Sequence, residues 1–286
     1  VTATTPKLEF SAWGQFTARL ARLPWWLILI GLADVLLFVS ITTDELYSTV
    51  FSKLRQGIGV TLFVAVVAYV LAILIGLVVG LGRVSKNPIV FNLATLYVQI
   101  IRGVPILVQI FVVAFVLTPA IFDLANAVGA LLSGLLGQEN ILTQSSTQNV
   151  SLLARAVIAL TVAYGGYEAE TFRAGIESIG KGQMEAARSL GMSYFQAMRY
   201  VILPQAVRNV LPPLGNDFVS MIKDSSLVSA LGVRDVTQEA RLYVSASFRY
   251  PETYYTLAFT YLNITIPLSL VVKWIENRMG KGGRSS

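Results

Sequence analysis

VTLFVAVVAYVLAILIGLVVGL, Val60 to Leu81, contains no charged residue and no polar-apolar alternation. It is as long as the roughly 20 residues a helix needs to cross a hydrocarbon layer about 30 Å thick. Backbone groups cannot be left unpaired in hydrocarbon, so a run of this kind predicts a membrane-spanning helix rather than a barrel strand. Gly76, Gly80 and Gly82 near its end predict close packing against a neighbouring helix.

Outward from this run the chain keeps the same character. It is 55% hydrophobic and 13% charged, with a mean hydropathy of +0.65. Further apolar runs lie at Leu23–Ile41, with the single acid Asp34, at Ile89–Leu117, from Leu152 to about Tyr167, from Leu211 to near Val233, and at Tyr254–Trp274. Together they predict an all-α membrane protein with six transmembrane helices. The Ile89–Leu117 run is longer than one crossing needs, which predicts a tilt or a break around Gly103 to Pro105. Leu211–Val233 is unusually polar for a span. Pro119–Val150 reads as a connector with a short outer helix and a loop. Lys7, Arg19 and Arg22 precede the first run, as in a signal peptide, but its length and the lack of a small-residue cleavage site favour a span, with Trp13, Trp25 and Trp26 as interfacial anchors.

The net charge of +6 belongs to basic residues set between apolar runs, where anionic headgroups attract them, so no nucleic-acid partner is implied. Placing the N-terminus, the Arg83–Lys86 turn, the loop after the fourth span and the C-terminus on one side gathers most Lys and Arg there. The positive-inside rule makes that side cytoplasmic and with it both termini. Lys53, Arg55, Arg234, Arg241 and Arg249 fall on the other side.

The chain has no cysteine and no histidine, which excludes thiol chemistry, Ser-His relays and the commonest zinc ligands. No metal site and no catalytic group is expected. A phosphate-binding G-x-x-x-x-G-K-[ST] loop is also missing, so energy from ATP would have to come from a partner chain.

GKGQMEAARSLGMSYFQAMRYVILPQAVR, Gly180 to Arg208, encodes helix, turn, helix. Gln183 to Leu190 are good helix formers, Gly191 is a left-handed stop, and Ser193 with Gln196 forms a capping box for a second helix that ends at Pro204. Ala186 and Ala187 beside Glu185 give one turn of very small side chains, with an acid near the positive end of the helix dipole. Such a turn can seat in another protein's groove, and an ordinary solvated hairpin would read the same way.

Glu185, Ala186, Ala187, Gly191, Val201, Leu203 and Pro204 match the E-A-A, three residues, Gly, nine residues, aliphatic-x-Leu-Pro pattern of binding-protein-dependent ABC importer permeases. Val201 stands where Ile is usual. IIRGVPILVQ (Ile100–Gln109), YEAETFRAGIESIGKGQ (Tyr167–Gln183), LPQAVRNVLPPLGNDF (Leu203–Phe218) and IKDSSLVSALGV (Ile222–Val233) narrow the resemblance to the polar-amino-acid branch, the histidine/glutamine/glutamate permease type.

The resemblance covers roughly Leu54 to Met279. It implies a five-helix type I importer core with one extra N-terminal span. The domains would be 1–59 (interfacial segment, extra helix, connector), 60–279 (permease core with coupling loop 175–208) and 280–286 (basic tail). It further implies a multi-pass permease of the bacterial inner membrane that is not itself an enzyme and holds no cofactor. ATP and Mg would be bound by separate ATPase subunits, onto which Glu185, Ala186, Ala187, Arg188, Leu190, Gly191, Leu203 and Pro204 would dock. A second permease subunit, identical or paralogous, an extracytoplasmic amino-acid-binding protein, the amino acid itself and membrane lipid complete the implied partners.

Ionisable groups inside a span are expensive and tend to face a water-filled path or a partner. Arg102 could line the path and orient a substrate carboxylate, or clamp the broken backbone at Pro105. Asn216, Ser220 and Lys223 share a helical face and, with Asp217 and Asp224, could face substrate; Lys223 could instead pair internally with Asp217 or Asp224. Glu170 and Arg173 read either as path residues or as an i, i+3 surface pair. A secondary transporter of inverted repeats would also suit six spans, but the halves show no internal similarity. An intramembrane enzyme lacks the residues for catalysis.

Overall fold

A computed structural model describes residues 25–136 and 146–280. The N-terminal lead-in with Lys7, Trp13, Arg19 and Arg22, the polar half of the 119–150 connector and the basic tail lie outside the described residues. The chain divides into two compact units, with the boundary between Thr49 and Val50.

Every described element is helical. The first unit holds α1 (Trp25–Thr43), apolar on its faces apart from Asp34. A second helix, α2 (Glu45–Leu54), leads into the larger unit. There α3 (Ile58–Arg83), α4 (Pro88–Gly103), α5 (Ile106–Val112) and α6 (Thr118–Leu136) are followed by α7 (Leu152–Glu177), α8 (Lys181–Ser189), α9 (Tyr194–Ala197), α10 (Leu203–Asp224), α11 (Val236–Ser247) and α12 (Tyr250–Gly280).

Three helical stretches among the described residues are long and apolar enough to cross a membrane: Glu45–Arg83, Ile106–Leu135 and Tyr250–Arg278, with Leu27–Thr43 a shorter apolar helix. Of the other expected spans, α7 and α10 are long, at 26 and 22 residues, but polar. The first carries Arg155, Glu168, Glu170, Arg173 and Glu177, the second Arg208, Asp217, Lys223 and Asp224.

The core is built on the seam between α3 and α7. Gly76 and Gly80, one turn apart on α3, lie directly on α7: a Cβ added at Gly76 would sit 2.4 Å from Glu168 Cβ, and one at Gly80 2.9 Å from the Ala169 carbonyl. The small-xxx-small spacing brings the two backbones together, and dispersion contacts replace the hydrophobic effect that lipid cannot supply. Val64, Ala68 and Ala72 of α3 pack there against Ala156, Leu160 and Tyr164 of α7, with Ile110 of α5 and Met221 and Ile222 of α10 closing the cluster.

The expected break in the third apolar run lies at Val104 and Pro105, between α4 and α5. Gln109, buried on α5, bridges it: its Nε2 donates to the carbonyls of Ile101 and Val104, each at 2.7 Å. Beyond the break the connector reading needs correction. Pro119 does not open a short outer helix; α5 continues through a π-helical turn, Val113–Leu117, into the 19-residue α6.

A second correction concerns Pro204. The helix begun at the Ser193 cap does not end there. It passes through another π-helical turn, Met198–Ile202, straight into α10. In both places the proline stands two residues after the π turn. A regular α-helix would place the proline ring against the carbonyl four residues back, and the wider turn relieves that clash. Carbonyls of the widened turns gain side-chain donors, Thr118 Oγ1 to Val113 at 2.7 Å and Gln205 Nε2 to Val201 at 2.7 Å.

At the end of α3 away from Arg83, Asp235 caps α11 by accepting from the Gln238 amide at 2.8 Å. Thr61 Oγ1 accepts from the Val236 amide at 3.1 Å. Val50 and Leu54 pack on Val236 and Ala240.

Candidate functional site

Three groups of predicted residues fall in three places. The first is the hairpin of α8 and α9. After Ser189 the chain closes a Schellman motif: Met192 N donates to Ala187 O at 3.2 Å and Gly191 N to Arg188 O at 3.0 Å. Gly191 takes the left-handed conformation this needs, with φ +85°. The capping box at Ser193 and Gln196 is complete in both directions. The turn is therefore fixed by its own backbone bonds.

Glu185, Ala186, Arg188, Leu190, Leu203 and Pro204 are exposed on this hairpin. Ala187 is not: it is 4% exposed and turned inward, as Ala197 is, so the small-residue turn serves the packing of the hairpin as well as its surface. Leu190, 82% exposed, and Phe195, 70% exposed, stand out with Tyr194 and Tyr200 beside them. Exposed apolar and aromatic side chains on a hairpin that also presents Arg188 and Glu185 have the composition of a protein contact. Sequence reasoning missed Tyr194, Phe195 and Tyr200, because helical spacing alone does not show which aromatic side chains face out.

The second group centres on Glu170. It accepts hydrogen bonds from Arg83 of α3 and from Arg173 one turn on, and Arg102 of α4 approaches to 3.9 Å. Arg173 also donates to Glu177. Glu170 is thus no plain surface pair with Arg173; one carboxylate ties three helices. Arg102 is 49% exposed, and the backbone clamp at Pro105 is made by Gln109, not by Arg102. Beside this cluster a cavity of about 630 Å³ lies between α7 and α10, lined by Glu170, Thr171, Ser178, Arg208, Asn209 and Pro212 among others. Asn209 Nδ2 donates to Ser178 Oγ at 2.9 Å across its edge.

The third group lies at a second cavity between α7 and α10. Asp217, Ser220 and Asp224 of α10 line a cavity of about 250 Å³ together with Tyr164 and Tyr167 of α7 and Ile106, the first residue after the break. Tyr164 Oη donates to Asp224 Oδ2 at 2.7 Å, and Thr171 Oγ1 to Asp217 Oδ2 at 3.4 Å. Asn216 is not part of this face. Its amide donates to the Pro212 carbonyl and to Glu276 of α12, each at 3.2 Å. Lys223 is exposed, and no ion pair to Asp217 or Asp224 occurs among the described residues. The helical-face grouping of Asn216, Ser220 and Lys223 is therefore replaced by one of Asp217, Ser220 and Asp224.

Near this cavity Glu168 is 0% exposed, with its carboxyl beside the Tyr69 hydroxyl. Its Cβ is the atom Gly76 packs against. At the far end of α3, burial pushes the Asp235 carboxyl up to about 6, while hydrogen bonds from Gln238, Thr237 and Tyr261 act in the opposite direction. No cluster of three acidic residues able to hold a metal ion occurs among the described residues.

Residues 72–281 match the family described as Binding-protein-dependent transport system inner membrane component. The chain belongs to this family. Among its relatives, "Probable amino-acid permease protein YxeN" of Bacillus subtilis (strain 168) is 35% identical over 241 residues, 84% of this chain and 97% of that protein. The "Glutamine transport system permease protein GlnP" of Escherichia coli (strain K12) is 33% identical over 226 residues, 79% and 92% of the two chains. A solved structure, "Crystal structure of an amino acid ABC transporter with histidines", superposes with a TM-score of 0.65 at 33% identity, covering 84% of this chain and 98% of that one. An inward-facing MetNI methionine ABC transporter shares the fold, with a TM-score of 0.56 at 19% identity and coverage of 80% and 95%. This chain is accordingly a multi-pass membrane component of a binding-protein-dependent transport system.

Proposed function

We propose that the permease forms the translocation path for polar amino acids and is driven by a separate ATPase that docks on the α8–α9 hairpin. The observation that carries this reading is the hairpin itself: a turn locked by a Schellman motif and a capping box, presenting exposed Leu190 and Phe195. A rigid element of this kind transmits a push, where a flexible loop would absorb it. Through the π turn at Met198–Ile202 the hairpin is continuous with α10, which lines the second cavity. Motion of the hairpin would then reach Asp217, Ser220 and Asp224 without an intervening joint of coil.

In this reading the cycle is alternating access. An extracytoplasmic binding protein delivers the amino acid and a second permease subunit completes the path. ATP and Mg are held by the ATPase, and the substrate contributes through its different affinity for the two states. Six helices cross the inner membrane with both termini cytoplasmic, and the polar α7 and α10 are kept from lipid by apolar neighbours. Arg102, half exposed and 3.9 Å from Glu170, would meet a substrate carboxylate. The permease core then occupies 60–279, with the coupling loop at 175–208.

The test is association and coupling together. Glu185→Lys or Gly191→Asp should abolish co-purification with the ATPase while the permease still elutes as a folded, monodisperse species. Uptake that persists on an ion gradient with no ATPase present would overturn the reading.

A further inference from the structure

A third cavity, of about 370 Å³, is a groove between α3, α10 and α12 that none of the predicted site residues lines. We infer that it binds an anionic phospholipid, with an acyl chain in the groove and the phosphate at Arg278.

The groove offers hydrocarbon contact. Its single polar side-chain atom, the Tyr69 hydroxyl, donates to the Leu214 carbonyl, so the lining has no free side-chain donor for an amino acid or a peptide. Both α3 and α12 belong to stretches long and apolar enough to cross a membrane, which places the groove between them in the hydrocarbon layer. Its floor is shaped rather than flat. The Tyr69 and Phe218 rings pack there with centroids 5.1 Å apart, and Gly215 brings α10 so close to α12 that an added Cβ would meet Val272 at 2.7 Å. Val70, Leu211 and Val271 stand half exposed around it. The volume falls within the roughly 300–1,000 Å³ of pockets that hold small ligands.

Charge at one end supplies the second observation. On α12 the lining positions Leu268, Val271 and Ile275 recur at helical spacing, and the stripe continues to Arg278. The Arg278 guanidinium lies 4.2 Å over the Trp274 ring. Stacking fixes its plane and leaves the N–H edge free, and that edge matches a phosphate. No carboxylate pairs with Arg278 among the described residues. Glu276, two residues earlier and so on another side of the helix, accepts from Asn216.

A further arginine stands at the same end. Near its start α12 is bonded to α11 by Tyr261 and Thr237 at 2.9 Å, and α11 in turn to Thr61 at the start of α3. The start of α10 lies instead beside the end of α7, with Val210 against Gly175, where Glu170 holds Arg83 at the end of α3. α10 and α12 therefore run in opposite senses, and Arg208, three residues before Leu211, shares the Arg278 end. It too has no ion pair among the described residues. An apolar groove with two uncompensated arginines at one end is complementary to an acyl chain that carries a phosphate.

The experiment takes the full chain, purified in mild detergent with the subunits that stay bound to it. Phosphatidylglycerol or phosphatidylcholine is titrated in, and lipid adducts are counted by native mass spectrometry. Phosphatidylglycerol is expected to bind at least fivefold more tightly, at one lipid per permease. Arg278→Gln should bring the two lipids within about twofold. Val271→Trp, which fills the groove from a half-exposed position, should remove the tight adduct of both. In membranes, phosphatidylglycerol with a photoreactive acyl chain should label the groove more strongly than Phe63 and Val78, which are exposed elsewhere on α3. The chain has no cysteine, so Val271→Cys reports any second copy seated there. Equal affinity for the two lipids, an unchanged preference in Arg278→Gln, labelling no stronger in the groove than at Phe63 and Val78, or an oxidant-induced disulfide between two Val271→Cys copies overturns the inference. None of these readouts depends on an ATPase docking at the hairpin.

Discussion

Gln109 holds the break between α4 and α5 with a single side chain. Its two donor bonds satisfy the carbonyls of Ile101 and Val104 where α4 stops and Pro105 cannot continue the ladder. A buried carbonyl left without a donor costs about 1–3 kcal/mol. Gln109→Leu should therefore destabilise the detergent-solubilised protein by about 2–5 kcal/mol in thermal or denaturant unfolding. Arg102→Gln loses only a half-exposed ion pair at 3.9 Å and should change stability by no more than about 1 kcal/mol. If uptake nonetheless collapses in Arg102→Gln, the arginine serves the path. The motif IIRGVPILVQ contained both residues, and Pro105 made the break legible. Which of two polar side chains reaches the freed carbonyls was not, because that depends on how the chain re-enters a helix after the break.

At the scale of elements, the hairpin was almost fully legible. Gly191, Ser193 and Gln196 act through local backbone chemistry, and local chemistry survives in the one-dimensional sequence. The two proline positions were not legible for the complementary reason: a proline reads as a helix stop, whereas Pro119 and Pro204 each follow a π turn inside a continuous helix. Polar side chains on α10 were found, but their grouping was not, since Asn216 turns to Glu276 across a tertiary contact. The cap of α11 yields a pH dependence. Asp235 lies in the connector between the fifth and sixth expected spans, and burial raises its carboxyl to about 6 in the folded protein, against about 3.9 unfolded. The folded state thus binds the proton more tightly, so this group makes the protein more stable as pH falls through about 6 toward 4 and less stable above. Asp235→Asn, which keeps a good capping residue, should flatten the melting temperature between pH 4 and 7. A slope equal to that of the native protein would refute the assignment.

For the larger unit as a whole, the organising contact is the Gly76–Gly80 seam of α3 on α7, and everything functional hangs from α7 or from the α10 that packs beside it. Gly76→Leu would drive a side chain into Glu168 Cβ and the Ala169 backbone amide. Overpacking of this kind costs about 1–3 kcal/mol and occasionally more. The expected outcome is a loss of the monodisperse peak in size-exclusion chromatography or a drop of several degrees in melting temperature. Gly76→Ala should show a smaller loss in the same direction. The glycine spacing announced this seam in the sequence, but its partner, with Glu168 wholly buried behind it, belongs to the three-dimensional arrangement alone.

The π turns have a further consequence for phase. An extra residue wound into a helix rotates everything after it by about 100° relative to everything before. A single helical wheel drawn through Tyr194 to Asp224 therefore describes two surfaces whose bearings disagree, one for the hairpin and one for the cavity wall. The exposed face around Phe195 and the cavity-lining face around Asp217 are set by different zeros. A substitution pattern tuned to one cannot be extrapolated along the same helix to the other.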